Sequence, residues 1–325
     1  MQYNRIIVAP GSAEPVRTAA AELASATDAQ TVERSFTPPA GEGEIILLEG
    51  DSALAVAEVK RLVDKLEPGG EWEAVTTSGG GLLIAGAGPR NVCQAALAWI
   101  ANPERETGRV ARYVFKERFT MWDVTLNQWY RGTVGFDRRR HLRELARLGH
   151  SGVEVNRYAD AGGGWHVRHR KFPGDSYAWY VSYCPALDAF VESSLTEGIY
   201  EREELDRNLA DLKEAAAIAR SYGMLPGFVC YEPRCVSEKI FDRYPQLRGS
   251  RTDHPGRSLE PRYALDIANP RVLEHYAELL TNLMNHVPDL RYLVFWTGDS
   301  GSGLPFAKGL YFGPNGSYIA RSKTV

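Results

Sequence analysis

Strand-like runs alternate with long helical runs through the latter part of the chain, and that alternation limits the fold more than any other feature. Phe119–Thr125, Gly152–Tyr158, Met224–Tyr231 and Tyr292–Thr297 are short runs rich in β-branched and aromatic residues. Between them lie helical stretches: Asp137–Leu148 with Gly149 as its stop, Glu201–Tyr222 with Gly223 as its stop, and Pro270–Val287. Strand then helix, repeated in series, calls for a parallel sheet with right-handed crossovers. A closed (β/α)8 barrel needs eight strands and about 250 residues, whereas residues 116–325 supply four such strands. The reading is therefore an α/β protein: a small N-terminal α+β domain over 1–115, then a partial (β/α) TIM-type barrel, its first half, over 116–325. A complete open sheet is the alternative. Truncation is favoured because the sequence stops at Ala320–Val325, where a fourth helix would begin. Half a barrel leaves parallel edges unpaired, so this chain alone is expected to be poorly stable, prone to self-association and inactive.

The first domain reads β-α-β-α-β-β-α. Ile6–Ala9 is a strand, Glu14–Ala26 an alanine-rich helix with Pro15 in its first turn, and Ile45–Leu48 a second strand. Asp51-Ser52 is placed to cap a helix over Ala53–Lys65. Glu71–Thr77 and Leu82–Ala85 read as paired strands around Ser78-Gly79-Gly80-Gly81, and a helix follows from Pro89 to about Ile100. Gly86 and Gly88 form a Gly-x-Gly after a strand. Asn91 stands where a dinucleotide fingerprint has its third glycine, and the pattern follows the last strand of its unit, not the first. A tight strand-to-helix turn accounts for it; an open-sheet nucleotide-binding enzyme rests on these two glycines alone.

Composition excludes some partners. A formal net charge of -3 gives no electrostatic case for nucleic acid or an anionic membrane. No apolar run approaches a membrane span, and the N-terminal run is too short for a secretory signal. Four scattered cysteines make no disulfide framework in a chain this long. A cytoplasmic location is the expectation.

Acids recur near strand ends: Asp123, Glu154, Glu232 and Asp299. The last follows Tyr292–Thr297 and Gly298 at once, and Ser300-Gly-Ser-Gly303 then frees the backbone. Strand alternation places Glu154 and Asn156 on one face and Val153 and Val155 on the other. If the valines meet the helices, the polar pair points into the barrel. Carboxylates converging on one mouth suit glycosidic cleavage, in which one group protonates the leaving oxygen and another activates water or attacks carbon. Glu154 paired with an interior arginine, and Asp299 as a helix cap, are the plainer readings. The long connection 159–200 carries Trp165, His166, His169, Tyr177, Trp179, Tyr180 and Tyr183. Aromatic faces suit the C–H faces of sugar rings, and the same residues also suit a self-packed lid. His166 and His169 lack a third zinc ligand, and Cys230 and Cys235 lack a second pair, so neither metal nor cofactor is expected.

Trp122-Asp123 with Arg131-Gly132, and Asp299-Ser300-Gly-Ser-Gly-Leu-Pro305, together with the domain order, resemble glycoside hydrolases of the α-glucuronidase family 67, with a more distant likeness to family 20 β-hexosaminidases. The resemblance implies a hexosaminidase-like or α-glucuronidase-like N-terminal domain before a catalytic barrel, a carbohydrate substrate, and a catalytic base on later strands. The α-glucuronidase pattern after strand four is Asp-Ser-Glu-Gly with the glutamate as general acid; here Gly301 holds that place. The hexosaminidase pattern is an Asp-Glu pair; here Ser300 follows Asp299. Asp299 is thus the candidate acid and Glu154 the second catalytic carboxylate, with Asp123, Arg131, Asn156, Trp165, Trp179, Glu232 and Trp296 as sugar contacts. A carbohydrate-binding or scaffold protein that has lost catalysis is the rival.

Overall fold

The structure, a computed structural model, describes residues 2–36, 38–119, 137–156, 187–233, 236–251 and 263–296. They fall into two compact units, the first within 1–120, 137–153 and 217–225, the second within 154–216 and 226–296.

The first unit is built on a six-stranded sheet. Its strands are β1 (Arg5–Val8), β2 (Gln30–Glu33), β3 (Glu44–Glu49), β4 (Glu71–Ser78), β5 (Gly81–Gly86) and β6 (Val110–Tyr113), in spatial order β2-β1-β3-β5-β4-β6. β2, β1, β3 and β5 run parallel, and β4 is antiparallel to both β5 and β6. Both faces of the central strands are buried, which is why Ile45-Ile46-Leu47-Leu48 is a continuous apolar run. Ile7, Ile46, Leu48, Leu83 and Ala85 share one core with Ala53, Val56, Val59 and Leu62. Helices α1 (Glu14–Thr27) and α4 (Pro89–Ala101) pack on each other, and α4 also packs on β4 and β5. The β4–β5 turn is closed by Gly79 and Gly80, with φ of 57° and 91°, the left-handed pair that a two-residue hairpin demands.

The expected helix over Ala53–Lys65 is two helices, α2 (Gly50–Leu54) and α3 (Ala57–Val63), because Val56 leaves the helical region at φ -90°, ψ 120°. The cap shifts with it. Glu49 takes the N-cap position, and the Ser52 hydroxyl donates to the Glu49 carbonyl at 2.6 Å. The edge strands β2 and β6 are additions to the sequence reading; neither has a buried apolar run to announce it. A short helix α5 (Pro103–Glu106) precedes β6. Helix α6 (Arg138–Arg147) starts where Asp137 accepts the Arg140 amide at 3.0 Å. Glu22 of α1 accepts from Arg143 Nε at 2.7 Å and from the Tyr222 hydroxyl at 2.6 Å.

A second sheet is three-stranded and parallel. Its strands are β7 (Gly152–Glu154), β8 (Leu225–Tyr231) and β11 (Tyr292–Trp296), in the order β11-β8-β7. Phe119 bridges Gly152 in parallel, and the rest of the expected strand 119–125 lies outside the described residues. The long helices fall where glycine and proline signals place them: α7 at Arg202–Ser221 and α9 at Pro270–His286, with Asn269 capping the latter. Among the described residues this sheet does not close.

Between these lie elements with no periodic signal in the sequence: α8 (Glu238–Arg243) and the antiparallel pair β9 (Arg248–Arg251) and β10 (Tyr263–Leu265). They share a core with part of the long connection, where Leu195 and Ile199 pack with Ile240, Phe241, Leu247, Leu265 and Val272. That part of the connection is scaffold. No described helix is long and apolar enough to cross a membrane.

Candidate active site

Parallel pairing sets which side chains can meet. The Val155 amide donates to the Gly227 carbonyl at 2.8 Å, which places Glu154 level with Gly227. β11 places Tyr292 level with the same glycine. Glu154, Gly227 and Tyr292 therefore form a row across three strands, on one face. Gly227 has no side chain, and the Tyr292 ring occupies the space a Cβ would take. Glu154 is fully buried. Burial, and after it the Glu154 carboxylate, push the Tyr292 phenol well above its ordinary pKa, so Tyr292 keeps its proton.

One step along the strands, Asn156 is level with Val229. Its Nδ2 donates to the Val229 carbonyl at 2.7 Å and its Oδ1 accepts the Val229 amide at 3.0 Å. The side-chain amide thus imitates a backbone peptide and carries the β7–β8 pairing beyond the strand. Asn156 is fully buried, and one N–H and one lone pair remain for other contacts.

Glu232 follows β8 and is 7% exposed. Its Oε1 accepts the Leu187 amide at 3.2 Å and its Oε2 accepts the Tyr276 hydroxyl at 3.3 Å. Those bonds tie the start of the 187–200 segment and α9 to the strand end. Burial first, then Glu232, raise the Tyr276 pKa far above normal, so the hydroxyl remains a donor. Phe190 of the same segment meets Phe228 edge-to-face at 5.3 Å between ring centroids. Trp296 ends β11, paired in register with Tyr231.

Asp123, Arg131, Trp165, Trp179 and Asp299 lie outside the described residues. Of the expected site residues, the structure thus places Glu154 and Asn156 on adjacent rungs of one face, and shows Glu232 bonded to Leu187 and Tyr276. Tyr292 and Gly227 are the members that sequence reading passed over. Their signal is relational: a glycine inside a β-rich run, level with a tyrosine on the neighbouring strand.

A buried Ser193–His275 contact, 2.6 Å from Oγ to Nδ1, resembles a nucleophile–base pair. Here it serves the fold: Ser193 Oγ also accepts the Leu195 amide at 3.2 Å, and both residues are 3% exposed. Gly86 and Gly88 form a packing turn, since a Cβ on Gly86 would stand 2.6 Å from both Asn91 Cβ and the Val92 amide nitrogen. Among the described residues no group of His, Cys, Asp and Glu is arranged to hold a metal ion.

No protein-family model matches the chain, and no curated protein matches it by sequence. Solved structures do match in fold. A glycoside hydrolase of family 138, described as an enzyme targeting pectin rhamnogalacturonan II, aligns over 89% of this chain and 30% of its own, with TM-score 0.54 and 10% identity. The family 20 exo-β-N-acetylglucosaminidase of Vibrio harveyi aligns over 93% of this chain and 44% of its own, with TM-score 0.47 and 14% identity. The family 89 glycoside hydrolase of Clostridium perfringens aligns over 79% of this chain and 31% of its own, with TM-score 0.48 and 12% identity. The chain thus spans under half the length of each. It shares a glycoside-hydrolase-like, mixed α/β fold containing a parallel-strand sheet.

Proposed function

We propose that this chain belongs to a carbohydrate-active enzyme that hydrolyses a glycosidic bond by carboxylate acid–base chemistry. In this reading residues 1–115 form an accessory domain and 116–325 the first half of a (β/α)8 catalytic barrel. The observation that carries it is Glu154 and Asn156 at the end of β7 with Glu232 just past β8: buried polar groups at the carboxyl ends of parallel strands, where barrel enzymes keep their sites. The shared fold with the family 138 enzyme supports it. Asp299 is the proposed general acid, Glu154 the second carboxylate, and Asp123, Arg131, Asn156, Trp165, Trp179, Glu232 and Trp296 the proposed sugar contacts. Likeness to family 67 or family 20, a cytoplasmic location and self-association belong to the same proposal.

The proton chemistry follows from the neighbours. A buried carboxylate is costly unless hydrogen-bonded, and Tyr292, which holds its phenolic proton, lies level with Glu154. Asp299 is the group proposed to supply the proton.

A second reading, a binding or scaffold protein without catalysis, is favoured by Gly301 in place of the expected glutamate and by Glu232 having both oxygens bonded within the fold. Glycan-array binding combined with a panel of natural and aryl glycosides separates the two. Turnover lost in Glu154→Gln supports the enzyme; saturable binding with no turnover supports the second reading.

A further inference from the structure

A cavity of about 490 Å³ opens in the first unit, independent of the proposed glycosidase chemistry. Its volume falls in the range of small-molecule sites. Glu73 of β4 and Gln94 of α4 line it, with Tyr113 of β6 and the arginines Arg105, Arg109 and Arg147. Glu73 is 5% and Gln94 4% exposed. Three side chains form one relay: Gln94 Nε2 donates to the Tyr113 hydroxyl, which donates to Glu73 Oε1 at 2.9 Å. The relay leaves two oxygens, Glu73 Oε2 and Gln94 Oε1, without a hydrogen-bond partner.

Buried polar atoms almost always find partners, and two orphans in neighbouring members of one network call for an explanation. An amide oxygen only accepts, so the partner missing at Gln94 Oε1 must donate, whereas burial pushes the Glu73 carboxyl up to about 7, where Oε2 can itself carry the proton. The cationic lining asks for negative charge as well. Arg109 is paired with Glu106, and Arg147 with Glu144 at 2.7 Å, while Arg105 has no ion pair among the described residues. Neighbouring Glu71 cannot serve as the anion for this site, because Arg90 and Arg118 already hold it.

We propose that this cavity binds a small hydroxylated anion, a hydroxyl donating to Gln94 Oε1 and its charged group meeting Arg105. Gln94 Oε1 is not open to bulk water, so occupancy requires the Gln94 side chain to turn its carbonyl into the cavity that it lines.

The test is calorimetric titration of the 325-residue protein with gluconate, glycerol 3-phosphate and uncharged sorbitol, alongside NMR of the Gln94 side-chain amide. Saturable binding of gluconate or glycerol 3-phosphate is expected, the stronger of the two naming the anion as carboxylate or phosphate. Sorbitol should bind at least about fivefold more weakly, and exposed Arg105→Gln should weaken the anion by about the same factor. The Gln94 amide resonances should move on saturation. No saturable binding by either anion, or sorbitol binding as well as they do, overturns the proposal. Binding that leaves the Gln94 amide unmoved also overturns it, because the anion then sits elsewhere.

Discussion

The Tyr292 ring lies over Gly227, filling the volume in which any other residue would carry its Cβ. The two are level on adjacent parallel strands, and Glu154 continues the row. The glycine is what allows the tyrosine to lie across β8 towards the buried carboxylate.

Gly227→Ala should therefore destabilise the protein by about 1–3 kcal/mol, the usual cost of overpacking. The double variant with Tyr292→Val should recover much of that loss, since the clash needs both partners. Urea unfolding of the single and double variants measures it. Additive losses would place the ring elsewhere.

Asn156→Leu leaves the Val229 amide and carbonyl without their side-chain partners. Each unsatisfied buried group costs about 1–3 kcal/mol. The expected outcome is a large loss of stability together with faster hydrogen exchange at the Val229 amide. Unchanged exchange there would contradict the pairing.

His275 gives the protein an acid limit. Burial lowers its pKa below the ordinary 6.5, while Asp188 and Glu278 oppose the shift less strongly. The folded state thus holds the ring neutral while the unfolded chain takes up the proton. Its contribution is fully present above about pH 6.5 and is lost as pH falls from there towards the folded pKa. Melting temperatures from pH 7 to 5 should fall more steeply for the wild type than for His275→Gln, which keeps a hydrogen-bonding group but does not titrate over that span.

Glu73 acts in the opposite sense. Burial pushes its carboxyl up to about 7 from 4.5, with the Tyr113 hydrogen bond and the charges of Arg109 and Arg118 opposing and Glu106 adding to the shift. Here the folded state binds the proton more tightly, so stability falls as pH rises from about 4.5 through 7 and levels off above. Glu73→Gln should match the wild type near pH 4.5 and exceed it at pH 8. Parallel melting curves for the two proteins across that range would refute the shift.

Sequence patterns revealed the regular part of this fold. Periodic apolar stripes, Pro270 at a helix start and Gly149 and Gly223 at helix stops placed α6, α7 and α9 to within a residue or two. Edge strands escaped because Gln30–Glu33 buries little and carries no alternation to read. The packed part of the long connection escaped for a different reason: Leu195 and Ile199 find their partners on α8, β10 and α9, many residues away. At the site, alternation along one strand put Glu154 and Asn156 on a common face. What that face meets depends on register between strands, which no single strand encodes; Tyr292 and Gly227 became visible only once β8 was paired with both neighbours.

The central claim is the proposal that Asp299, three residues past β11 in the sequence, protonates the leaving oxygen of a glycoside. Asp299→Asn tests it most directly, in the protein encoded with whatever further barrel strands its gene supplies. The account predicts unchanged sugar binding and a loss of roughly a hundredfold or more in turnover of natural glycosides. Aryl glycosides with good leaving groups, which need little protonation, should lose much less. Cleavage of natural glycosides by Asp299→Asn at the wild-type rate would contradict it.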